Sequence, residues 1–248
     1  MSFILNPYRH AAAGGGFDKT DLIAFWKLTE VSGTRYDAHA VNNFDLTDNN
    51  TVTQSTGETV PPYSTAGDFT RSFSEFLNFD DGDTIDTENA AAENEFTVTA
   101  WAKLDTSPTG ASILSTYDGG SIGTGFCLFY RNDISDFRVY VANDVAVKTA
   151  ETTVTVTTGT WYFVSTRYSE SSGYLEISAD GGAWSQTPIS AGAHLAGVLG
   201  ISIGSIRANS PANTWDGQIQ AVSYWKRALT DQEVIDLSDA SNSFYTSF

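Results

Sequence analysis

The chain has 248 residues, of which 41% are hydrophobic, and its formal net charge is −17, from 30 acidic and 13 basic residues. Because phosphate binding depends on clustered Lys and Arg, this balance excludes a basic surface for nucleic acid. The apolar stretches are far shorter than the ~20 residues that cross a bilayer. The single cysteine, Cys127, excludes an intrachain disulfide, and it lies in an apolar run that predicts a buried residue.

Residues 1–20 form a distinct N-terminal segment that contains a flexible Ala-Gly tract at residues 11–16. The part before this tract predicts an arm that packs on a neighbouring subunit, and an ordinary frayed terminus is the alternative. It carries these large side chains: Phe3, Ile4, Leu5, Tyr8 and Arg9. The apolar run stops at Leu5 and a proline follows soon after, so the start does not read as a secretory signal. We therefore expect an arm over residues 1–20 and one domain over residues 21–248.

Alternating apolar residues predict a succession of short strands. The clearest is Phe96–Leu104, in which every second residue is apolar. Similar runs, separated by turn residues, occur at Leu22–Leu28, Phe44–Leu46, Thr51–Gln54, Asp68–Phe73, Phe76–Phe79, Ile113–Tyr117, Gly125–Arg131, Phe137–Ala142, Val145–Lys148, Thr152–Val156, Thr160–Tyr168 and Gly173–Ala179. A spacing of ~8–12 residues between strands is typical of a β-sandwich or barrel.

Two local signals complete the predicted elements. Asp180-Gly181-Gly182 predicts a hairpin turn. A short helix is expected near the C-terminus, where Thr230 and Glu233 have the spacing of a capping box.

The order of motifs in the last third resembles the laminin-G-like, concanavalin-A-like lectin and glucanase jelly roll. The motifs are the strands Thr160–Tyr168 and Gly173–Ala179, the Asp-Gly-Gly turn, Ile201–Gly204, Trp215-Asp216-Gly217 with the strand that follows it to Trp225, and Lys226–Glu233. The run from Ala24 to Asp37 is similar to the opening of the same family. The resemblance implies an all-β, two-sheet antiparallel jelly-roll sandwich with a short C-terminal helix and an extended N-terminal arm. Members of this family mostly bind rather than catalyse.

Catalytic residues are not expected. Glycosidases of the fold that this chain resembles carry a Glu-x-Asp-x-x-Glu strand, which holds two carboxylates ~5–5.5 Å apart. The nearest run here is Glu176–Asp180, but Asp180 belongs to the turn. The isolated histidines, His10, His39 and His194, lack a nucleophile elbow before a helix.

A calcium site is an expectation that the resemblance implies, because related domains hold calcium through Asp or Asn oxygens and backbone carbonyls. The matching positions here are Asp37 and Asp216. The family often has an aspartate soon after the glycine that follows Asp216, and this chain has Gln218 and Gln220 instead.

Ligand contacts are expected where an aromatic ring stands beside polar side chains in a loop, since such a ring covers the CH face of a sugar. The candidates are Tyr117, Asp118, Trp184, Asn213 and Trp215, and of these we expect Tyr117 and Trp184 to be the most exposed. The alternative for any aromatic is core packing, which we expect for Trp26, Trp161 and Trp225.

These features predict a non-enzymatic bacteriophage virion protein, a capsid decoration or a tail or fibre component. Such a protein folds in the host cytoplasm and reaches the outside by lysis, which reconciles a typically extracellular fold with the lack of an export signal. Its expected partners are other virion proteins, through the arm, and host or environmental glycans; we also expect a homo-oligomer. The alternative is a carbohydrate-binding module of a bacterial surface or secreted protein, and a third hypothesis is a glycoside hydrolase.

Overall fold

A computed structural model describes residues 17–39, 41, 43–59, 61–79, 94–118, 123–194, 197, 200–206 and 211–248. In chain order their strands are β1 (Leu22–Trp26), β2 (Thr47–Asn49), β3 (Thr53–Thr56), β4 (Thr65–Phe69), β5 (Phe76–Phe79), β6 (Glu95–Leu104), β7 (Gly110–Ser115), β8 (Thr124–Arg131), β9 (Asp136–Asn143), β10 (Val147–Glu151), β11 (Trp161–Ser169), β12 (Tyr174–Ala179), β13 (Ser185–Pro188), β14 (Ile201–Ile203) and β15 (Gly217–Trp225). Helix α1 (Asp231–Ser238) and two 3₁₀ turns, Arg71–Phe73 and Ser243–Thr246, complete the described elements. No helix among these residues has the length and apolar character needed to cross a membrane.

The strands form two antiparallel sheets. Sheet A has eight strands in the order β13-β12-β11-β6-β15-β4-β3, and β1 pairs with the second half of β15. Sheet B has seven strands in the order β10-β9-β8-β7-β14-β5-β2. A bulge at Ala221, where φ is 50°, shifts the register of β15 against β6 between Gln220 and Ser223. The same strand therefore pairs with β4 before the bulge and with β1 after it.

The main core lies between the two sheets. Because side chains alternate along a strand, the apolar residues at every second position of β6 all face inward. Facing them from β8 and β9 are residues such as Phe126 and Val139, which are fully buried. The sandwich thus follows directly from the period-two pattern.

A second apolar cluster covers the outer face of sheet A. Trp101 and Trp225 point away from the main core, yet both are buried. They lie in a cluster with Leu237 of α1 and with Phe244, which packs edge-on against Phe25 with ring centroids 4.9 Å apart. The C-terminal segment therefore closes most of this face.

Helix α1 begins at the predicted capping box. The Thr230 hydroxyl accepts a hydrogen bond from the backbone N–H of Glu233, and the Glu233 carboxylate accepts one from the backbone N–H of Thr230. This reciprocal pair fixes where the chain enters the helix. Val234 and Leu237 then lie on the buried side of the helix.

The predicted fold class is confirmed, with local differences. Trp26, Trp161 and Trp225 are buried, as expected. The run Thr152–Val156 is not a strand, because Val154 and Val156 pack against the core from an irregular segment. Strand β13 was not predicted, since its polar residues carry no apolar alternation. The arm residues Phe3, Ile4, Leu5, Tyr8 and Arg9 lie outside the described part of the chain, so their packing on a neighbour stays a prediction.

Gly217 is expected to be essential for the start of β15. Its φ is 133°, and a Cβ at this position would lie 2.3 Å from the Lys103 carbonyl oxygen. Replacing Gly217 with Ala should lower the free energy of unfolding by about 3 kcal/mol or more, through strain and overlap together. Gly57 is the matched control, because its φ is 80° but nothing lies within 4 Å of its Cβ position. Gly57→Ala should cost only about 1 kcal/mol in urea unfolding, and equal losses would contradict this account.

Asp136 should make stability depend on pH. Its side chain is 8% exposed, and burial, the Glu151 charge and the Asp133 charge raise its pKa to about 6 against the opposing effect of Arg138. A raised carboxyl pKa means that the folded state binds the proton more tightly, so stability is lost as the pH rises through about 6. Asp136→Asn should therefore raise the free energy of unfolding by roughly 1 kcal/mol at neutral pH and by much less in acid.

The control for this variant is Asp133→Asn. A hydrogen bond from Arg131 lowers the pKa of Asp133, so the stability from this group is present at neutral pH and lost in acid. The two variants should thus change neutral-pH stability in opposite directions in chemical denaturation. A gain for both would indicate a general charge effect instead.

Candidate functional site

A groove on the outer face of sheet A begins where the C-terminal cover ends, at the edge formed by β11, β12 and β13. Arg167 pairs across the strands with Glu176, and Glu176 pairs with Gln186. Because directly opposed residues of antiparallel strands project to the same face, these three side chains form one polar row. The buried carboxylate of Glu176 accepts hydrogen bonds from the guanidinium of Arg167 and from the amide of Gln186.

A second row lies beside the first. Ser169 pairs with both Glu95 and Tyr174, so these three residues also share the outer face. The Glu95 carboxylate accepts hydrogen bonds from the hydroxyls of Ser169, at 2.9 Å, and of Ser171. The Tyr174 side chain is 37% exposed and offers a ring at the edge of the row.

We call the depression over these two rows the polar pocket, which has a volume of about 570 Å³. It is lined by Glu95, Arg167, Ser169, Ser171, Ser172, Tyr174, Glu176, Gln186, Ala228, Leu229 and Thr230.

A second depression, the Trp184 pocket, adjoins the polar pocket and has a volume of about 400 Å³. It is lined by Gly181, Gly182, Ala183, Trp184, Asp231, Val234 and Ile235. The Asp-Gly-Gly turn supplies one wall, with φ of 53° at Asp180 and 65° at Gly181, and α1 supplies the other. We refer to the two pockets together as the Arg167 groove.

Arg167 lies between the two pockets and contacts residues that line both of them. Its guanidinium donates to Glu176 and to the Leu229 carbonyl oxygen at 2.8 Å, and it lies 2.8 Å from the Asp231 carboxylate. Its Cζ lies 4.1 Å from the centroid of the Trp184 ring, a cation–π contact. Burial alone would lower the pKa of Arg167, but the hydrogen bonds and charges of Glu176 and Asp231 outweigh burial and raise it.

Trp184 is fixed at the mouth of its pocket from both sides. The indole Nε1–H donates to Asp231 at 2.9 Å, while the ring face is covered by Arg167. The side chain remains partly exposed. A partly exposed ring held in one orientation loses little entropy when it stacks on a ligand.

The other expected ligand contacts lie away from this groove. Tyr117 is buried against Tyr140, with ring centroids 4.9 Å apart, and its hydroxyl accepts from the Gly123 N–H. The Asp118 carboxylate accepts from the backbone and hydroxyl of Thr124. These two residues therefore bond to the residues that lead into β8, and the Tyr117 ring is buried where exposure was expected.

Trp215 and Asn213 also have structural partners. Trp215 is fully buried in the main core, and its Nε1–H donates to the Lys103 carbonyl at 3.2 Å. Asn213 adopts φ of 48°, and its carbonyl oxygen accepts from the Ser112 N–H at 2.8 Å. Ligand contact at Asn213, Tyr117, Asp118 and Trp215 stays a prediction, and of the five expected residues the groove contains Trp184.

The two aspartates expected to hold calcium are both engaged within the protein. The buried Asp37 carboxylate accepts from the backbone N–H groups of Phe25 and His39, each at 3.0 Å. Asp216 accepts from the Arg71 N–H at 3.1 Å and from the Thr106 hydroxyl at 2.5 Å. Within the part of the chain that the structure describes, no three His, Cys, Asp or Glu side chains are grouped as a metal site. Calcium therefore stays a prediction.

Fold and site together define a lectin-type jelly roll with an aromatic and polar groove. The chain belongs to the Concanavalin A-like lectin/glucanases superfamily, because the laminin-G-like family profile of that description matches residues 79–235. No curated protein sequence matches the chain.

Three solved structures illustrate the similarity. A mutant of Trypanosoma rangeli sialidase that displays trans-sialidase activity matches with a TM-score of 0.65 and 19% identity, over 93% of this chain and 34% of the sialidase. A second match is domain 4 of AbnA, a GH43 extracellular arabinanase from Geobacillus stearothermophilus, in complex with arabinotriose. Its TM-score is 0.65 and its identity 13%, over 88% of this chain and 98% of the domain. The receptor binding domain of botulinum neurotoxin C/D mosaic serotype matches with a TM-score of 0.60 and 12% identity, over 90% of this chain and 52% of that chain.

These identities are low, so the similarities show the fold alone. The chain spans about a third of the length of the sialidase, 34%, and nearly the whole of the arabinanase domain, 98%. The prediction of a virion structural protein is wrong in the light of these comparisons, because the similar structures include sialidases and an arabinanase domain, and nothing in them supports a bacteriophage context.

Proposed function

We propose that this domain is a non-catalytic glycan-binding module and that it binds its ligand in the Arg167 groove. The observation that carries the proposal is the placement of two aromatic rings, Trp184 and Tyr174, on either side of a fixed polar row. Sugars present apolar CH faces and many hydroxyl groups, so a site for them combines ring surfaces with donors and acceptors at set positions. The groove provides both on rigid strands.

The polar groups of both rows are already arranged before any ligand binds. Glu176 and Glu95 are each held by two donors, so their remaining lone pairs point in fixed directions. Gln186 is exposed and can offer its remaining amide atoms. Preorganised groups lose less freedom on binding, which favours affinity for a polar ligand.

The similar structures support a binding role. The arabinanase domain that matches this chain over most of both lengths was determined in complex with arabinotriose. It is domain 4 of an extracellular arabinanase. We infer by analogy that a domain of this fold can hold an oligosaccharide, and we propose the Arg167 groove as the site in this chain.

Removing the ring of either Tyr174 or Trp184 should weaken glycan binding without unfolding the domain. Glycans selected on an array would be titrated by calorimetry against the wild type, Tyr174→Ala and Trp184→Ala, and each variant should bind about tenfold more weakly, or about 1.4 kcal/mol. Tyr36→Ala is the matched control, because Tyr36 is 60% exposed and lies outside the groove. Equal binding by all variants would show that the glycan binds elsewhere. If no glycan on the array binds the wild type, the proposal is wrong.

The hydrolase hypothesis has a separate test, since two carboxylates, Glu95 and Glu176, line the same pocket. A general acid must deliver a proton to the leaving oxygen. Glu176 instead uses both oxygens to accept hydrogen bonds from Arg167 and Gln186. We expect no release of reducing ends from a bound oligosaccharide by the wild type. Turnover that is present in the wild type and lost in Glu176→Gln would contradict the non-catalytic assignment.

A further inference from the structure

The charges of the Arg167 groove are unbalanced. Its described lining contains the carboxylates of Glu95, Glu176 and Asp231 and a single guanidinium, that of Arg167. The whole chain carries a net charge of −17, so the surroundings add to this negative potential. An anion that approaches the groove is therefore repelled, while a neutral molecule is not.

Arg167 does not offset this repulsion. Recognition of a carboxylate usually relies on a guanidinium that can form two parallel hydrogen bonds to it. Here the guanidinium is bonded to Glu176 and to the Leu229 carbonyl, and it pairs with Asp231 on its other side. These partners occupy Nε and Nη1, so two parallel bonds to an acidic sugar would require one of these atoms to give up a partner. Where that partner is Glu176, a buried carboxylate loses its counter-ion, which is unfavourable.

The Trp184 pocket has a different character. Its walls are the indole ring and the side chains of Ala183, Val234 and Ile235, with the glycine backbone of the turn. The indole N–H already donates to Asp231, so the ring presents mainly apolar surface to the pocket. Ile235 is 47% exposed there, and it is an apolar side chain that a ligand could cover. A methyl group on a sugar substituent gains free energy when it is buried against such a surface.

The geometry points to a ligand class, and this step rests on the proposed function. We propose that the Arg167 groove binds neutral glycans that carry acetamido groups, with the acetamido methyl in the Trp184 pocket and the hydroxyls on the polar row, and that it rejects glycans bearing a carboxylate. The similarity in fold to sialidases thus does not extend to recognition of an acidic sugar in this groove.

Two matched pairs of ligands test the two halves of this proposal by calorimetry. Tri-N-acetylchitotriose and cellotriose share one backbone and differ in the acetamido groups, and we expect the acetylated member to bind about fivefold more tightly, as burial of a methyl group allows. Sialyllactose and its methyl ester differ in one negative charge, and we expect the ester to bind at least about tenfold more tightly.

Variants assign these preferences to the groove. Ile235→Ser should reduce the preference for chitotriose over cellotriose to less than about twofold, because it removes apolar surface from the pocket. Val31→Ser is its control, since Val31 is 73% exposed and lies outside the groove. Asp231→Asn removes one carboxylate beside Arg167, so the preference for the ester over sialyllactose should fall by roughly tenfold.

The outcomes separate this proposal from the proposed function. Equal binding of sialyllactose and its ester, or of chitotriose and cellotriose, overturns the ligand class; if Tyr174→Ala still weakens binding in that case, the groove remains the binding site. Binding of no glycan at all overturns both proposals. Preferences that persist unchanged in Ile235→Ser and Asp231→Asn also overturn the ligand class, because they arise outside the groove.

Discussion

Burial of both faces of sheet A is the constraint on which the rest of the structure depends. The inner face packs on sheet B, as in any sandwich, but Trp101 and Trp225 on the outer face also need cover. The C-terminal segment supplies it, with Phe244 and Leu237 packed on these rings. The cover extends over the centre of the sheet and stops before β12 and β13. The groove exists because the apolar outer face ends there and polar residues take over.

The same boundary explains why the groove is rigid. Arg167 is bonded on one side to the sheet, through Glu176, and on the other to the segment that leads into α1, through Leu229 and Asp231. Moving the helix would break the contacts of Arg167 with Asp231 and with the Leu229 carbonyl, so these contacts oppose movement of one wall relative to the other. A fixed cleft suits recognition, where freedom lost on binding reduces affinity. It is less suited to a reaction that requires a lid to close.

The sequence alone predicts the sandwich well, because strands such as β6 show clear alternation and Thr230 and Glu233 have an unambiguous spacing. It does not predict β13, whose polar residues resemble a loop. Of the residues that line the groove, the sequence predicts only Trp184 as a ligand contact, from its position after the turn. Arg167, Tyr174 and Gln186 were missed because their proximity depends on strand register, which one sequence does not reveal. Conversely, Trp215 resembles an exposed loop tryptophan in sequence, and only the packed structure shows that it belongs to the core.

The first and last described residues meet on the outer face of sheet A. Lys19 donates to the Ser247 carbonyl at 2.8 Å, and its ammonium lies 3.5 Å from the centroid of the Phe248 ring. The described part of the chain therefore begins and ends at neighbouring points on the same side as the groove. Two copies held close together could present their clefts to one polymer surface at once. Such an arrangement would convert weak single contacts into avidity without any change in the binding residues.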